Sequence, residues 1–323
     1  MIASLSLQQI HKHQKTLHQE DFEALFGEVP GTLFQECQEL VGRHDLRYDI
    51  LQGASRDQVL LRVMKTLDQN LEVAGAHRKQ RWEDGWAENL SDFQRTGYDL
   101  AVLVPKFVRP QEIIRLKGEY VRPVSPQFET SVVNILRHWM FKKWFHSVDH
   151  IYEFGCGTGH NLVDAAFLFP GRPLYGLDWS QSSQAILRLL KEEHGFNVIG
   201  REFNMLEPDE TFNLYPRSGV FTVGAMEQLG RQFHPFVNFL LRQRPSICIH
   251  VETLYELYDQ NVLFDYVAAR YLEKRKYLQG LLGTLKAFEQ EGRLEILKTV
   301  RTFGSLYHDG YSIVIWKPVE EEK

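Results

Sequence analysis

Three glycines at alternate positions follow an acid in the segment Glu153–Gly159, which reads EFGCGTG. Apolar residues come directly before it, so the segment is predicted to be a strand that ends in a turn. Glycine has no Cβ and tolerates backbone conformations that other residues avoid, which lets a bulky ligand press against the chain. The acid adds a hydrogen-bond acceptor beside the bare turn. The pattern therefore indicates a site for a small organic cofactor.

Two common cofactor loops do not fit this segment. A dinucleotide loop, Gly-x-Gly-x-x-Gly, would require glycine at position 160 or 162, where His160 and Leu162 stand. A phosphate-binding loop ends in Gly-Lys-Ser/Thr, whereas Gly159 is followed by His160 and Asn161. Both alternatives are therefore excluded by the residues present.

The acid-x-Gly-x-Gly-x-Gly spacing resembles the first motif of class I S-adenosylmethionine (SAM) methyltransferases. The resemblance implies that Glu153 bonds the amino group of SAM and that the glycine loop passes under its methionine portion. It also implies that Asp178, at 178 − 159 = 19 residues beyond the last glycine, bonds the ribose, although this acid would equally suit a helix start. Asn204, after the third strand, would bond the adenine amine. The predicted SAM-binding residues are Glu153, Gly155, Gly157, Gly159, Asn161, Asp178, Trp179, Asn204 and Met205.

The methyl acceptor is expected where the fourth and fifth strands end, because ligands of open α/β sheets lie beyond the carboxyl ends of the strands. Glu227 and Glu252 follow these two strands, and two carboxylates suit a cationic amine or guanidinium. His234 and His250 are the alternative bases and would suit a hydroxyl acceptor. These four residues are the predicted catalytic candidates, although each also has a structural interpretation as a helix cap, surface acid or core histidine.

Aromatic and basic residues elsewhere are candidates for enclosing the acceptor. Trp82 and Trp86 flank Gly85 in an acid-rich cluster, which we interpret as a packed turn or as a lid that walls a cation. Tyr120 and Arg122 lie in a predicted arm that could fold over the cofactor, and Tyr255 follows the fifth strand. These five residues are the predicted substrate contacts.

The predicted fold class is α/β, a seven-stranded, mostly parallel Rossmann-like methyltransferase sheet with an N-terminal helical domain. Helical spacing of apolar residues predicts the helical domain over residues 1–98. Residues 99–126 are predicted to form an extended arm, and alternating helices and strands over 127–323 predict the SAM methyltransferase domain. The resemblance covers roughly residues 127 to 318, so it says nothing about the first hundred.

The composition bears on which partners and which cellular location we expect for this protein. The net charge of −5 argues against a nucleic-acid surface, and no apolar run is long enough for a membrane span. Three cysteines that cannot all pair favour a cytoplasmic protein with reduced thiols. No ligand spacing for a metal is present, and the sequence leaves a homodimer open.

The sequence thus predicts a SAM-dependent methyltransferase that acts on a small polar metabolite, with a preference for N-methylation of an amine or guanidino group. O-methylation of a sugar or other hydroxylated metabolite is the main alternative. A protein side chain as acceptor, or SAM binding without catalysis, also stays open.

Overall fold

A computed structural model describes residues 14–106, 108, 110 and 113–319. The first thirteen residues of the predicted helical segment, four positions of the predicted arm and the last four residues lie outside this part. The described α-helices are α1 (Gln19–Leu25), α2 (Gln35–Arg43), α3 (Gly53–Leu67), α4 (Lys79–Arg95), α5 (Phe128–Trp144), α6 (His160–Leu168), α7 (Gln181–His194), α8 (His234–Gln243), α9 (Leu263–Arg275) and α10 (Leu281–Gln290). The described strands are β1 (Gln14–Thr16), β2 (Arg47–Ile50), β3 (Ile114–Leu116), β4 (Glu119–Pro123), β5 (His150–Phe154), β6 (Leu174–Asp178), β7 (Val198–Glu202), β8 (Ser218–Val223), β9 (Ile247–Glu252), β10 (Leu294–Val300), β11 (Phe303–Gly304) and β12 (Ser312–Pro318).

Seven strands form the central sheet, in the order β10-β12-β9-β8-β5-β6-β7. The strands β5 to β9 pair in parallel, whereas β12 pairs antiparallel with both β9 and β10. Helices α6, α7 and α8 connect β5 to β6, β6 to β7 and β8 to β9, as is usual for parallel strands, whereas residues 203–217 connect β7 to β8 without a helix. The predicted seven-stranded sheet with one antiparallel strand is confirmed.

Side chains that alternate along the central strands build a core on each face of this sheet. In β5, Ile151 packs in the core that contains helices α5, α6 and α7, while Tyr152 packs in the core of α8 and α10. Both residues are almost fully buried. The sheet is therefore covered on both faces, and its exposed chemistry is confined to the strand ends.

The N-terminal region is not entirely helical. Strands β1 and β2 join β4, β3 and β11 in a second, five-stranded antiparallel sheet. The five strands come from all three predicted segments, residues 1–98, 99–126 and 127–323. The boundaries of these segments stay a prediction. The helical interpretation of residues 1–98 is thus wrong for β1 and β2, whose pairing partners lie far away in the sequence.

Two local predictions differ from the structure. Trp82 and Trp86 lie inside helix α4 rather than in a turn, since this long helix accommodates Gly85. Residues Leu100–Leu103, within the predicted extended arm, form a 3₁₀ helix. Residues Glu119–Pro123 of the same arm form β4, which pairs antiparallel with β3.

Among the described residues, none of the helices has the length and apolar character needed to cross a bilayer.

Candidate active site

A cavity of about 520 Å³ lies at the carboxyl ends of β5, β6, β7 and β8. Of the predicted site residues, ten line it: Trp82, Trp86, Gly155, Gly157, Asn161, Asp178, Trp179, Asn204, Met205 and Glu227. The glycine turn, the acid after β6 and the loop after β8 thus share one space. This is the location that the strand order favours for a ligand.

The glycine turn is shaped by the absence of side chains. Gly155, Gly157 and Gly159 have φ values of 72°, 51° and 72°, in the left-handed region that favours glycine. A Cβ on Gly155 would lie 2.4 Å from the Cβ of Ala225, and one on Gly157 would lie 2.8 Å from Cζ2 of Trp86. Either approach is too close for two carbon atoms. The bare backbone is therefore required by both the conformation and the packing of the turn.

Asp178 holds this turn in place. Its Oδ2 accepts a hydrogen bond from the backbone amide of Gly157 at 2.9 Å, and its Oδ1 accepts one from the amide of Ser180 at 3.0 Å. The side chain is buried, and burial raises its pKa to about 6 although these amides lower it. Ser180, rather than Asp178, is the N-cap of α7. Asp178 is thus a fixed acceptor at the edge of the cavity.

Glu153 is fully buried behind the turn and does not line the cavity. The side-chain amide of Asn161 donates to its Oε1 at 2.6 Å, while Oε2 has no partner among the described residues. Burial raises the pKa of Glu153 to about 8. Arg137 of α5 donates to Oδ1 of Asn161 at 2.9 Å and itself lines the cavity. Glu153 thus contacts Asn161 and does not line the cavity, whereas Arg137, which the sequence did not single out, does line it.

Helix α4 closes the cavity over the glycine turn. The rings of Trp82 and Trp86 stack with their centroids 5.5 Å apart, and Trp86 is largely buried against Gly157. The carboxylate of Glu83 accepts hydrogen bonds from the backbone amides of Gln181 and Ser182 at 2.8 and 3.1 Å. These amides are at the first turn of α7, where free N–H groups are available. Helix α4 is thus bound to the first turn of α7, beside the glycine turn.

Two acids, Glu227 and Glu129, also line the cavity. Glu227, in the loop after β8, accepts a hydrogen bond from the side chain of Gln228 at 2.9 Å. Glu129, in the first turn of α5, accepts one from the hydroxyl of Tyr311 at 2.8 Å. Burial raises the pKa of each carboxyl to about 7. Tyr277 is a further residue of the cavity wall.

Glu252 is not a cavity residue. It is fully buried, and its carboxylate accepts hydrogen bonds from the backbone amides of Ala225, Met226 and Glu227 at 3.0, 3.0 and 3.2 Å. The prediction that it contacts the acceptor is therefore not supported by its position. Glu252 instead fixes the loop that carries Glu227.

Neither predicted histidine base reaches the cavity. His250 lies within β9, fully buried, where its Nδ1 is 3.0 Å from the hydroxyl of Thr222. Burial lowers its pKa to about 3. His234 begins α8 on the exposed surface, 3.4 Å from the hydroxyl of Thr284. His250 thus has the position of a core histidine, the structural alternative that the sequence left open, whereas His234 is a surface residue.

The remaining predicted substrate contacts also lie elsewhere. Tyr120 is fully buried and packs on Phe264 with 4.8 Å between ring centroids. Arg122 is exposed on β4. The hydroxyl of Tyr255 donates to Glu273 at 2.6 Å. Gly159, finally, packs against Leu187 rather than on the cavity.

Several cavity residues were not predicted, because no local motif marks them. They are contributed by helices or loops far apart in the sequence: Arg78, Glu129, Arg137, His160, Arg275, Tyr277, His308 and Tyr311. Only the position of Glu129 at the start of a helix leading into β5 could have drawn attention to it. In the part of the chain that is described, no group of three or more His, Cys, Asp or Glu side chains could hold a metal ion.

No family model and no curated protein matches the sequence. Among solved structures, the chain is similar to the [4+2]-cyclase SpnF, with 12% identity over 77% of this chain and 98% of that one and a TM-score of 0.49. It is also similar to a geranyl diphosphate methyltransferase in complex with SAM, with 14% identity over 61% and 92% of the two chains and a TM-score of 0.44. The geranyl diphosphate C-methyltransferase from Streptomyces coelicolor A3(2), in complex with Mg²⁺, geranyl diphosphate and S-adenosyl-L-homocysteine, has 14% identity over 61% and 85% and a TM-score of 0.42. These weak likenesses determine neither the activity nor the acceptor of this chain.

Proposed function

We propose that this protein is a SAM-dependent methyltransferase that methylates a nitrogen of a small cationic metabolite, an amine or a guanidine. The observation that carries this proposal is a single cavity whose lining contains both a glycine turn with Asp178 and the two acids Glu129 and Glu227. The turn and Asp178 suit a nucleoside with an amino-acid tail. The two acids suit a cation that must lose a proton.

The residues present fit SAM. Asp178 would accept hydrogen bonds from the ribose hydroxyls, and Asn204 with the neighbouring Trp179 and Met205 would surround the adenine. Arg137 has a buried Nε–H without a partner among the described residues, so it could bind the carboxylate of the methionine portion. Asn161 lies beside it. When bound, SAM supplies an electrophilic methyl group on a sulfonium.

The chain itself would position the acceptor and remove a proton from it. Methyl transfer requires an unprotonated lone pair aimed at the methyl group, and positioning alone lowers the barrier considerably. A carboxyl with a pKa of about 7 is matched to proton transfer near neutral pH. Glu227 would accept this proton, and Glu252 would keep Glu227 in place through the three backbone amides. Glu129 and Tyr311 would hold the cationic group.

The cover that helix α4 provides over the glycine turn favours a small acceptor. Helix α4 packs over the glycine turn through Trp86 and is bound to α7 through Glu83. A protein side chain would need an open cleft at this place. A small molecule is therefore the methyl acceptor that agrees best with this geometry.

One observation favours O-methylation as the second candidate. His308 lines the cavity, and its buried Nδ1 has no partner among the described residues. Burial lowers its pKa to about 4, so the imidazole is neutral at pH 7 and could take a proton from a hydroxyl. This histidine replaces His234 and His250 as the base in that alternative.

The test is incubation with isotope-labelled SAM and a metabolite extract, followed by identification of the labelled product. Asp178→Ala should weaken SAM binding by about 10- to 100-fold, since a charge-assisted hydrogen bond contributes roughly 1.5–3 kcal/mol. Glu227→Gln should leave SAM binding unchanged and lower kcat by about 100-fold or more, the usual contribution of a positioned acid or base. Glu192→Gln, an exposed change on α7, serves as the matched control for both.

Calorimetry in which Glu227→Gln abolished SAM binding while Asp178→Ala left it intact would contradict these roles. A labelled O-methyl product, with turnover lost in His308→Gln, would favour the second candidate. Tight SAM binding without any labelled product would indicate a protein that binds SAM without catalysis.

A further inference from the structure

Two arginines near Glu227 have unused hydrogen-bond donors. Arg78 is only 5% exposed; its Nη1 donates to Oε1 of Gln228 at 2.5 Å and its Nη2 lies 3.4 Å from a carboxylate oxygen of Glu72. Arg275, at the end of α9, donates from Nη2 to the hydroxyl of Tyr277 at 2.6 Å. The Nε of each guanidinium is buried without a partner among the described residues. Both side chains line the cavity.

Backbone contacts bring these arginines to the same end of the cavity. The amide of Ala74 donates to the carbonyl of Arg275 at 2.8 Å, which joins the segment before Arg78 to the end of α9. The charges of both arginines lower the pKa of Glu227 and of Tyr277, against the larger effect of burial. The two guanidinium groups are thus close enough to act on the same carboxyl.

The unused donors point to an anion. A buried N–H that makes no hydrogen bond costs about 1–3 kcal/mol, and native proteins keep few such groups without a functional reason. A guanidinium presents its donors in a planar fork that matches a carboxylate. Arg78 already has Glu72 as a counter-ion, so the charge at this place is balanced better by a monoanion than by a dianion.

The following inference rests on the proposed function. We propose that the methyl acceptor is a zwitterion whose carboxylate binds Arg78 and Arg275. Its nitrogen would then lie at Glu129 and Glu227. The cavity then distinguishes an amino acid or a related compound from the corresponding simple amine. The simple amine would leave the buried Nε–H of both guanidinium groups without a hydrogen-bond acceptor.

The first experiment does not depend on turnover. Carbon-13-labelled acetate is titrated into the full chain, with and without SAM, and the width of its carboxylate NMR signal is measured. We expect saturable broadening in the wild type and in Arg188→Met, an exposed arginine on α7, but at least a tenfold weaker affinity in Arg78→Met and Arg275→Met. Circular dichroism ensures that only folded variants are compared.

Inorganic phosphate, followed by its phosphorus signal, distinguishes the kind of anion. Broadening of the phosphate signal with no effect on acetate would overturn the carboxylate assignment. Equal acetate broadening in the wild type and both cavity variants, or none in any of them, would overturn the anion site itself.

The second experiment uses the labelled product of the SAM incubation. We expect a product that carries a carboxylate, and a KM for its precursor that rises about 10- to 100-fold in Arg275→Met while kcat changes much less, because a charge-assisted hydrogen bond in the ground state is lost. A product without a carboxylate would overturn the proposal. If no product forms at all, the proposed activity fails, and the acetate titration still decides the anion site.

Discussion

Replacing Glu129 by glutamine tests the electrostatics of the acceptor end through protein stability. Glu129 is 6% exposed, and its Oε2 has no partner among the described residues. Burial raises its pKa from 4.5 to about 7, and the hydrogen bond from Tyr311 opposes that shift only partly. The folded protein therefore binds a proton at this site more tightly than the unfolded chain does.

The size of the effect follows from the difference between the two pKa values. The shift is about 7 − 4.5 = 2.5 units, which corresponds to roughly 3 kcal/mol at about 1.4 kcal/mol per unit. This contribution to stability is fully present below pH 4.5 and is lost as the pH rises through 7. Glutamine cannot ionise, so Glu129→Gln avoids the loss. We expect the variant to be more stable than the wild type by up to about 3 kcal/mol at pH 8, and to have similar stability at pH 4.5.

The assay is urea unfolding of the wild type, Glu129→Gln and the surface control Glu192→Gln from pH 4.5 to 8. Other buried acids, including Asp178 and Glu227, also have raised pKa values, so the wild type should lose stability with rising pH for several reasons. The difference between wild type and variant isolates Glu129. A constant difference across this range, or a variant that is less stable at pH 8, would refute the assignment of a buried, neutral carboxyl.

Two further substitutions, at Gly157 and Glu252, test residues that hold the backbone of the site in place. Gly157→Ala would place a Cβ on a residue with a left-handed backbone conformation, 2.8 Å from the ring of Trp86. The free energy of unfolding should therefore fall by more than the roughly 1–2 kcal/mol that the conformation alone costs. Gly171→Ala, also left-handed but with open space around the Cβ, measures that conformational cost; equal unfolding free energies would show that Trp86 does not pack on the turn. Glu252→Gln should lose about 1–3 kcal/mol because its amide group would face a backbone N–H, whereas Glu227→Gln should lose little. Unchanged stability of Glu252→Gln in thermal unfolding, together with abolished turnover, would instead indicate a chemical role for Glu252.

The fold of the second half could be predicted because its signals are local. Strands such as β8 and β9 are largely apolar, Gly155 and Gly157 follow β5 closely, and Asp178 ends β6. The N-terminal region lacked such signals. Strands β1 and β2 have three and four residues, too few to show a period. Strand β1 pairs with β2, and β2 pairs with β4 of a hairpin that is distant in the sequence.

The candidate catalytic residues show where strand position is insufficient. Glu227 and Glu252 both follow central strands, yet only Glu227 lines the cavity, because the side chain of Glu252 is directed to three backbone amides. His250 shares a strand with Glu252, and alternation along that strand places both in the interior. The sequence indicates where a strand ends. It does not specify which polar side chain there will bind the backbone of the neighbouring loop and which will face the cavity.

The division between the two ends of the cavity explains why the cofactor is easier to infer than the acceptor. The glycine turn and Asp178 come from adjacent strands, so a short motif contains the cofactor end almost entirely. The acceptor end is assembled from α5, the start of α4, the end of α9 and the loop before β12. Further along α4, Glu83 and Trp86 fix the helix to the first turn of α7 and to the glycine turn. Under the proposed function, acceptor choice would depend on these tertiary contacts between the N-terminal region and the sheet, and changes in either partner would alter it without affecting the motif.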